Sequence, residues 1–189
     1  MKLRHRMPGS VACRPGVQDN HAGKGLFPMP KRSAGLLMYR WVNGVPEVLL
    51  VHPGGPFWKS RDEGAWSIPK GEYGDQEDPL AAARREFYEE TGFQAKGPFH
   101  ELTPVKQKGG KTVSAWACEG DLDPSLVQSS TFPLEWPPGS GKVIQFPEID
   151  RAGWFPPKAA KAKIHQAQAA FLDELYSILG LGARDRGGQ

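Results

Sequence analysis

Apolar residues recur along this chain with two different periods, and each period implies a different element. In "AGLLMYRW" and "PEVLLVH", aliphatic and aromatic residues crowd on either side of the turn-like "VNGVP", which predicts a hairpin or neighbouring strands over Ala34 to Trp41 and Glu47 to His52. A loop, "PGGPFWKSRDEGA", and a short run, "WSIPKG", follow. The pattern then turns helical. Asp78 is suited to the N-cap and Pro79 to the first helical position, and Gly92 is placed to stop the helix. Further on, "ELTPVKQK" and "TVSAWACEGD" read as two strands around the turn "GGK". The stretch "SSTFPLEWPPGSGKVIQFPEIDRAGWF" carries too much Pro and Gly for regular structure throughout. From Pro157 to Leu179 a second helix is predicted, with Ile164, Ala167, Phe171, Leu175 and Ile178 on one face and Gly180 as its stop.

Before Ser33 no period is sustained. Residues 1–32 combine charge with scattered Gly and Pro and are expected to form a disordered, basic extension, ahead of one domain over 33–180 and a flexible tail over 181–189. Met29, just before "PKRSAGLLMYR", is an alternative natural start, which mass spectrometry of the native N-terminus would test. Charge supports the division. Seven Lys or Arg against Asp19 give residues 1–33 a net +6, leaving −3 for everything after them, although the whole chain is +3. A mildly acidic body does not favour nucleic acid as a partner. At 189 residues the chain has room for one real core. Two cysteines, Cys13 and Cys118, make no disulfide framework, and no apolar run is long enough to cross a bilayer, so a cytoplasmic location is expected.

The candidate chemistry sits on the first helix. At about 100° per residue, Glu86, Glu89 and Glu90 fall within one arc, while Leu80, Ala83 and Phe87 gather on another side. Ala82 lies in the acidic arc and is expected to leave room there for a ligand. Like charges at this spacing repel by a few tenths of a kcal/mol per pair, so something must offset them. Arg85 can pair with Glu89, but a hard divalent cation such as Mg²⁺ neutralises a carboxylate cluster more fully. Without His-rich or Cys-rich ligand spacing, zinc is not indicated.

The segment "GEYGDQEDPLAAARREFYEETGF" resembles the signature of the Nudix hydrolases at every defined position: Gly71, Glu77, Arg85, Glu86, Phe87, Glu89, Glu90, Gly92 and Phe93. The resemblance, extending from about Ser33 to Leu179, implies an α/β/α sandwich with a mixed β-sheet. It also implies metal-dependent hydrolysis of a nucleoside diphosphate linked to another group, with Mg²⁺ or Mn²⁺. It makes Glu86, Glu89 and Glu90 metal ligands, with the Gly71 carbonyl as a further one. It assigns Arg85 and Glu77 to a supporting ion pair that orients the catalytic carboxylates.

Substrate choice in that family lies largely outside this segment. "WSIPKGE" resembles the approach to the signature in the diadenosine polyphosphate and diphosphoinositol polyphosphate branches. The downstream proline and tyrosine markers of ADP-ribose and diadenosine polyphosphate hydrolysis are missing, and Gly109 and Gly110 occupy that region. Coenzyme A and NADH signatures are absent too. Lys70 is either a phosphate contact or a solvated loop lysine. In the loop before it, Lys59 and Arg61 are candidates for phosphate, and Phe57 and Trp58 for stacking on a base, whereas Trp66 reads as core. Glu135 and Glu148 are both candidates for an extra acidic ligand or general base. "EWPPGSGK" lacks the first Gly of a phosphate loop and is not read as one. His52, His100 and His165 carry no catalytic expectation. The expected partner is a small nucleotide, a dinucleoside polyphosphate or nucleoside triphosphate, bound by a monomer or homodimer. A nucleotide-binding sensor without turnover and an RNA 5′-end pyrophosphohydrolase are the alternatives.

Overall fold

The computed structural model describes residues 31–107 and 109–181, so nearly all of the expected extension and all but the first residue of the expected tail lie outside the described residues. Strand β1 (Arg32–Val42) and strand β2 (Val45–Pro53) form the predicted hairpin around Asn43 and Gly44. On the other side of β1, β5 (Thr112–Glu119) runs parallel to it and carries β4 (His100–Lys106) antiparallel at the edge. Strand β8 (Ile149–Phe155) pairs with β2, giving the order β4-β5-β1-β2-β8. The short β3 (Lys70–Glu72) joins the first residues of β1, Ser33 to Gly35.

Alternation along β1 divides the core in two. Ala34, Leu36 and Met38 face helix α1 (Pro79–Thr91) with Phe87, while Leu37 and Tyr39 face the opposite layer with Phe171, Leu172 and Leu175. Helices therefore cover both faces of a mixed sheet, which is the α/β/α sandwich expected. Each fully buried Leu or Phe contributes about 1.5–3 kcal/mol to this arrangement.

Helix α1 begins and ends as its sequence dictates. Asp78 Oδ1 accepts from the Ala81 N–H at 2.8 Å, and Gly92, at φ 79°, supplies the left-handed residue that closes the last turn onto the Tyr88 carbonyl. Two carbonyls left open near its C-terminus, those of Thr91 and Glu89, accept N–H groups from Gln128 and Ser130 at 3.2 and 3.3 Å.

Three expectations need correction. The Pro-rich stretch holds strands β6 (Thr131–Glu135) and β7 (Val143–Pro147) as well as β8. Pro133 and Pro147 are tolerated because a two-stranded ribbon has open edges, and Pro137 and Pro138 lie at its tip. The long second helix is broken into α2 (Pro157–Lys163) and α3 (Ala169–Ile178). Ile164 leaves the helix with ψ 143° because its neighbours bond to a strand-like segment: Trp66 N–H donates to the Lys163 carbonyl at 3.1 Å and His165 N–H to the Trp66 carbonyl at 2.7 Å. After the break the buried face is Phe171, Leu172, Leu175 and Tyr176, so Ile178 is exposed. Third, Ala82 is 0% exposed and packs in the core with Ala83 and Phe87, leaving no room for a ligand.

Candidate active site

Strand β3 and helix α1 meet in one corner, and most of the candidate residues are brought together there. The Lys70 backbone N–H donates to Glu90 Oε2 at 2.8 Å. A Cβ on residue 71 would overlap the Glu86 carboxyl, so only Gly71 lets that carboxyl lie against the strand backbone. Arg85 ties the acids into one cluster. Its Nε and Nη2 donate to the two oxygens of Glu77 at 2.9 and 3.1 Å, a bidentate pair, while Nη1 donates to Glu86 at 2.6 Å and to Glu89 at 3.2 Å.

The electrostatics follow from this crowding. Burial pushes the Glu86 carboxyl above its ordinary range, against the pull of Arg85, and Glu89 and Glu148 push it the same way. Burial also raises Glu90, up to about 8, with Lys70 opposing the rise and Glu86 and Glu148 adding to it. Glu77 is held low by its hydrogen bonds to Arg85. The Lys70 amine is itself lowered by burial, with Glu90 as the main counterweight.

Glu148 thus lies close enough for its charge to reach both buried acids. Its backbone explains how: the Glu148 N–H donates to the Ser130 carbonyl at 2.8 Å, and Ser130 in turn donates to the Glu89 carbonyl. Glu135 is elsewhere, at the end of β6, where its carboxyl accepts from the Gly141 N–H at 2.7 Å. Sequence alone gave these two glutamates equal standing, since only the folded path of residues 128–148 separates them.

The remaining candidates lie on other elements. Trp58, Lys59 and Arg61 lie on the loop between β2 and β3, with the Arg61 guanidinium 5.3 Å from the centre of the Trp58 ring. Trp66 is core, its indole N–H donating to Asp62 at 2.9 Å. His52 is fully buried, with Nδ1 2.6 Å from Asp150 Oδ1 and Nε2 2.8 Å from the Arg61 carbonyl, so it holds the loop to β8. His165 accepts from the Ala167 N–H at the start of the turn before α3. The residues of "EWPPGSGK" form the hairpin tip, where the Trp136 N–H meets the Lys142 carbonyl at 2.9 Å. Phe132, Trp136 and Phe146, which drew no expectation from the sequence, stand across from this loop; the density of aromatics among the prolines was the available signal.

For a metal ion the donors are of the right kind. They are hard carboxylate oxygens beside a backbone carbonyl that Gly71 leaves accessible. Among the described residues, though, no three acidic, His or Cys side chains are gathered as a ready-made site, because Glu86 and Glu89 are turned to Arg85. Arg85 engages one oxygen of each, leaving the other to hold an ion.

The family model of the NUDIX domain matches residues 29–175. The chain belongs to the Nudix family. It is a Nudix-type pyrophosphohydrolase, acting in general terms on nucleotide pyrophosphate linkages. A search of curated proteins found no match. Among solved structures, the C. elegans Ap4A hydrolase in a binary complex is 24% identical at a TM-score of 0.55, over 79% of this chain and 98% of that one. The NUDIX domain of Shewanella oneidensis NrtR, complexed with ADP ribose, is 14% identical at 0.57, over 81% and 90%. A mutT/nudix family protein from Listeria innocua is 18% identical at 0.53, over 80% and 95%. At these identities the likeness concerns the Nudix fold. Among the described residues no helix is long and apolar enough to cross a membrane.

Proposed function

We propose that this Nudix chain hydrolyses a pyrophosphate bond in a nucleoside diphosphate linked to another group, of the dinucleoside polyphosphate or nucleoside triphosphate type. One observation supports this most: burial, and after it the charge of neighbouring acids including Glu148, pushes Glu86 and Glu90 upward together, and a cation would offset both. Glu86, Glu89 and Glu90, with the Gly71 carbonyl, would hold Mg²⁺ or Mn²⁺, an ion that shields the pyrophosphate charge and lowers the pKa of the attacking water. Arg85, fixed by Glu77, positions Glu86 and Glu89. Glu148 would take the proton from the attacking water, because its charge reaches Glu86 and Glu90 from outside α1. Lys70 places a cation beside Glu90 for the substrate phosphates. Two structural relatives, an Ap4A hydrolase and a domain complexed with ADP ribose, make adenine nucleotides the first compounds to try.

The test is a screen with Mg²⁺ over nucleoside triphosphates, dinucleoside polyphosphates, nucleotide sugars and capped or triphosphorylated RNA, with products identified by mass spectrometry. Turnover of one nucleotide class, lost in Glu89→Gln while the protein stays folded, is the expected result. Full activity of Glu89→Gln would overturn the site assignment, and tight nucleotide binding with no product would replace the hydrolase with a sensor.

A further inference from the structure

A cleft of about 540 Å³ opens between the loop after β2 and the β6–β7 hairpin, with Pro56, Trp136, Phe146 and Pro147 among its walls and Lys59 and Asp150 beside them. We propose that this cleft is the nucleobase subsite, with Trp136 as the stacking residue and Phe57, in edge-to-face contact with that indole, fixing its ring at the edge of the cleft. The proposal rests on the pyrophosphohydrolase reading and deepens it.

Three features of the cleft agree on this occupant. The first is its position. Pro147 is followed directly by Glu148, whose charge reaches Glu86 and Glu90, and the Gly54 N–H donates to the Glu148 carbonyl at 2.8 Å. Both walls are therefore pinned to the residue whose charge reaches the acidic corner. The second is the aromatic surface. Phe57 meets Trp136 edge to face, with ring centres 5.3 Å apart, yet Phe57 remains 60% exposed. Trp136 and Phe146 line the cleft itself, so a flat ring entering it meets aromatic surface. Phe132 stands 6.3 Å from Phe146 and backs that wall. The third is the polar rim. Lys59 offers a cation to phosphate or to a base carbonyl. Asp150 has Oδ1 engaged with His52 Nδ1, and its side chain is held in place by that contact as it faces the cleft. Two aromatic walls, a cation and a fixed acceptor match a heteroaromatic base carrying phosphates, and the volume suits a small ligand.

Binding can be read without turnover. The full chain in EDTA is mixed with ATP, GTP or inorganic tripolyphosphate and followed by saturation-transfer NMR and tryptophan fluorescence. Saturation should pass to the base protons most strongly. Phe57→Ala, at an exposed position that does not test folding, should weaken ATP or GTP about tenfold and leave tripolyphosphate unchanged. Trp136→Phe, which keeps a stacking surface, should bind the nucleotides nearly as wild type does. Equal weakening of nucleotide and tripolyphosphate, no weakening of either, or no base-proton saturation at millimolar nucleotide would each overturn the subsite. The two readings separate cleanly. Base-selective binding with no hydrolysis under any divalent ion keeps the cleft and removes the hydrolase, whereas turnover whose KM ignores Phe57→Ala keeps the hydrolase and removes the cleft.

Discussion

The acidic corner and the aromatic cleft are neighbours built in opposite ways. Apart from Glu148, the corner comes from a single segment, Lys70 to Glu90, in which a three-residue strand and one helix place each acid relative to the next. Its geometry is set by helical spacing and by one arginine that bonds three glutamates at once. The cleft instead joins Phe57 and Lys59 to Trp136 and Phe146, residues far apart in sequence on a loop and a two-stranded ribbon. Local spacing suits chemistry that must not vary, and a surface assembled from two loops suits recognition that can.

The largest effect expected lies in the corner. Glu86→Gln should lower kcat by about a thousandfold, a loss of several kcal/mol of transition-state stabilisation, with melting temperature little changed. Steady-state kinetics beside a thermal melt would check this, and comparable loss from Phe57→Ala would break the distinction between the regions. Next comes Arg85→Lys. A point charge cannot reproduce the bidentate bond to Glu77, so divalent-ion affinity measured by calorimetry should fall about 10–100-fold.

A third expectation concerns pH. Burial raises Glu90 from the ordinary 4.5 to about 8, so between those values the folded protein keeps a proton that the unfolded chain releases. In metal-free buffer stability should therefore fall as pH rises through this window, and Glu90→Gln should flatten the slope; melts in EDTA from pH 5 to 9, a range set by the reference carboxylate and the raised value, would read it. By the same linkage, a divalent ion that binds below the upper pKa should release a proton. The smallest effect is at the helix start. Asp78→Ala removes the N-cap bond and should cost about 1 kcal/mol of stability, additive with Phe57→Ala if corner and cleft are independent.

The same contrast decides what the sequence made legible. Helix α1 was readable because its cap, its first proline, its terminal glycine and its acids are all short-range features. The break at Ile164 was not, because an isoleucine in the apolar period looks the same whether it continues a helix or is held out by a strand-like partner such as Trp66. Ala82 misled for a related reason: the acidic arc curls onto the sheet, so a small residue within it is covered. The hairpin was hidden by its prolines, whose absent N–H groups matter little on an open ribbon. Glu148 could be told from Glu135 only once the chain path placed one beside Ser130 and the other near the hairpin tip.

That chain path has a practical side. The polypeptide leaves at Ser130 and returns at Glu148, and a backbone hydrogen bond of 2.8 Å closes the neck between them. Residues 131–147 are thereby a cassette with adjoining ends, and a graft that preserves the neck can exchange, lengthen or trim it while α1 keeps its own support. Specificity could be re-engineered, or diversify among descendants, by replacing one hairpin.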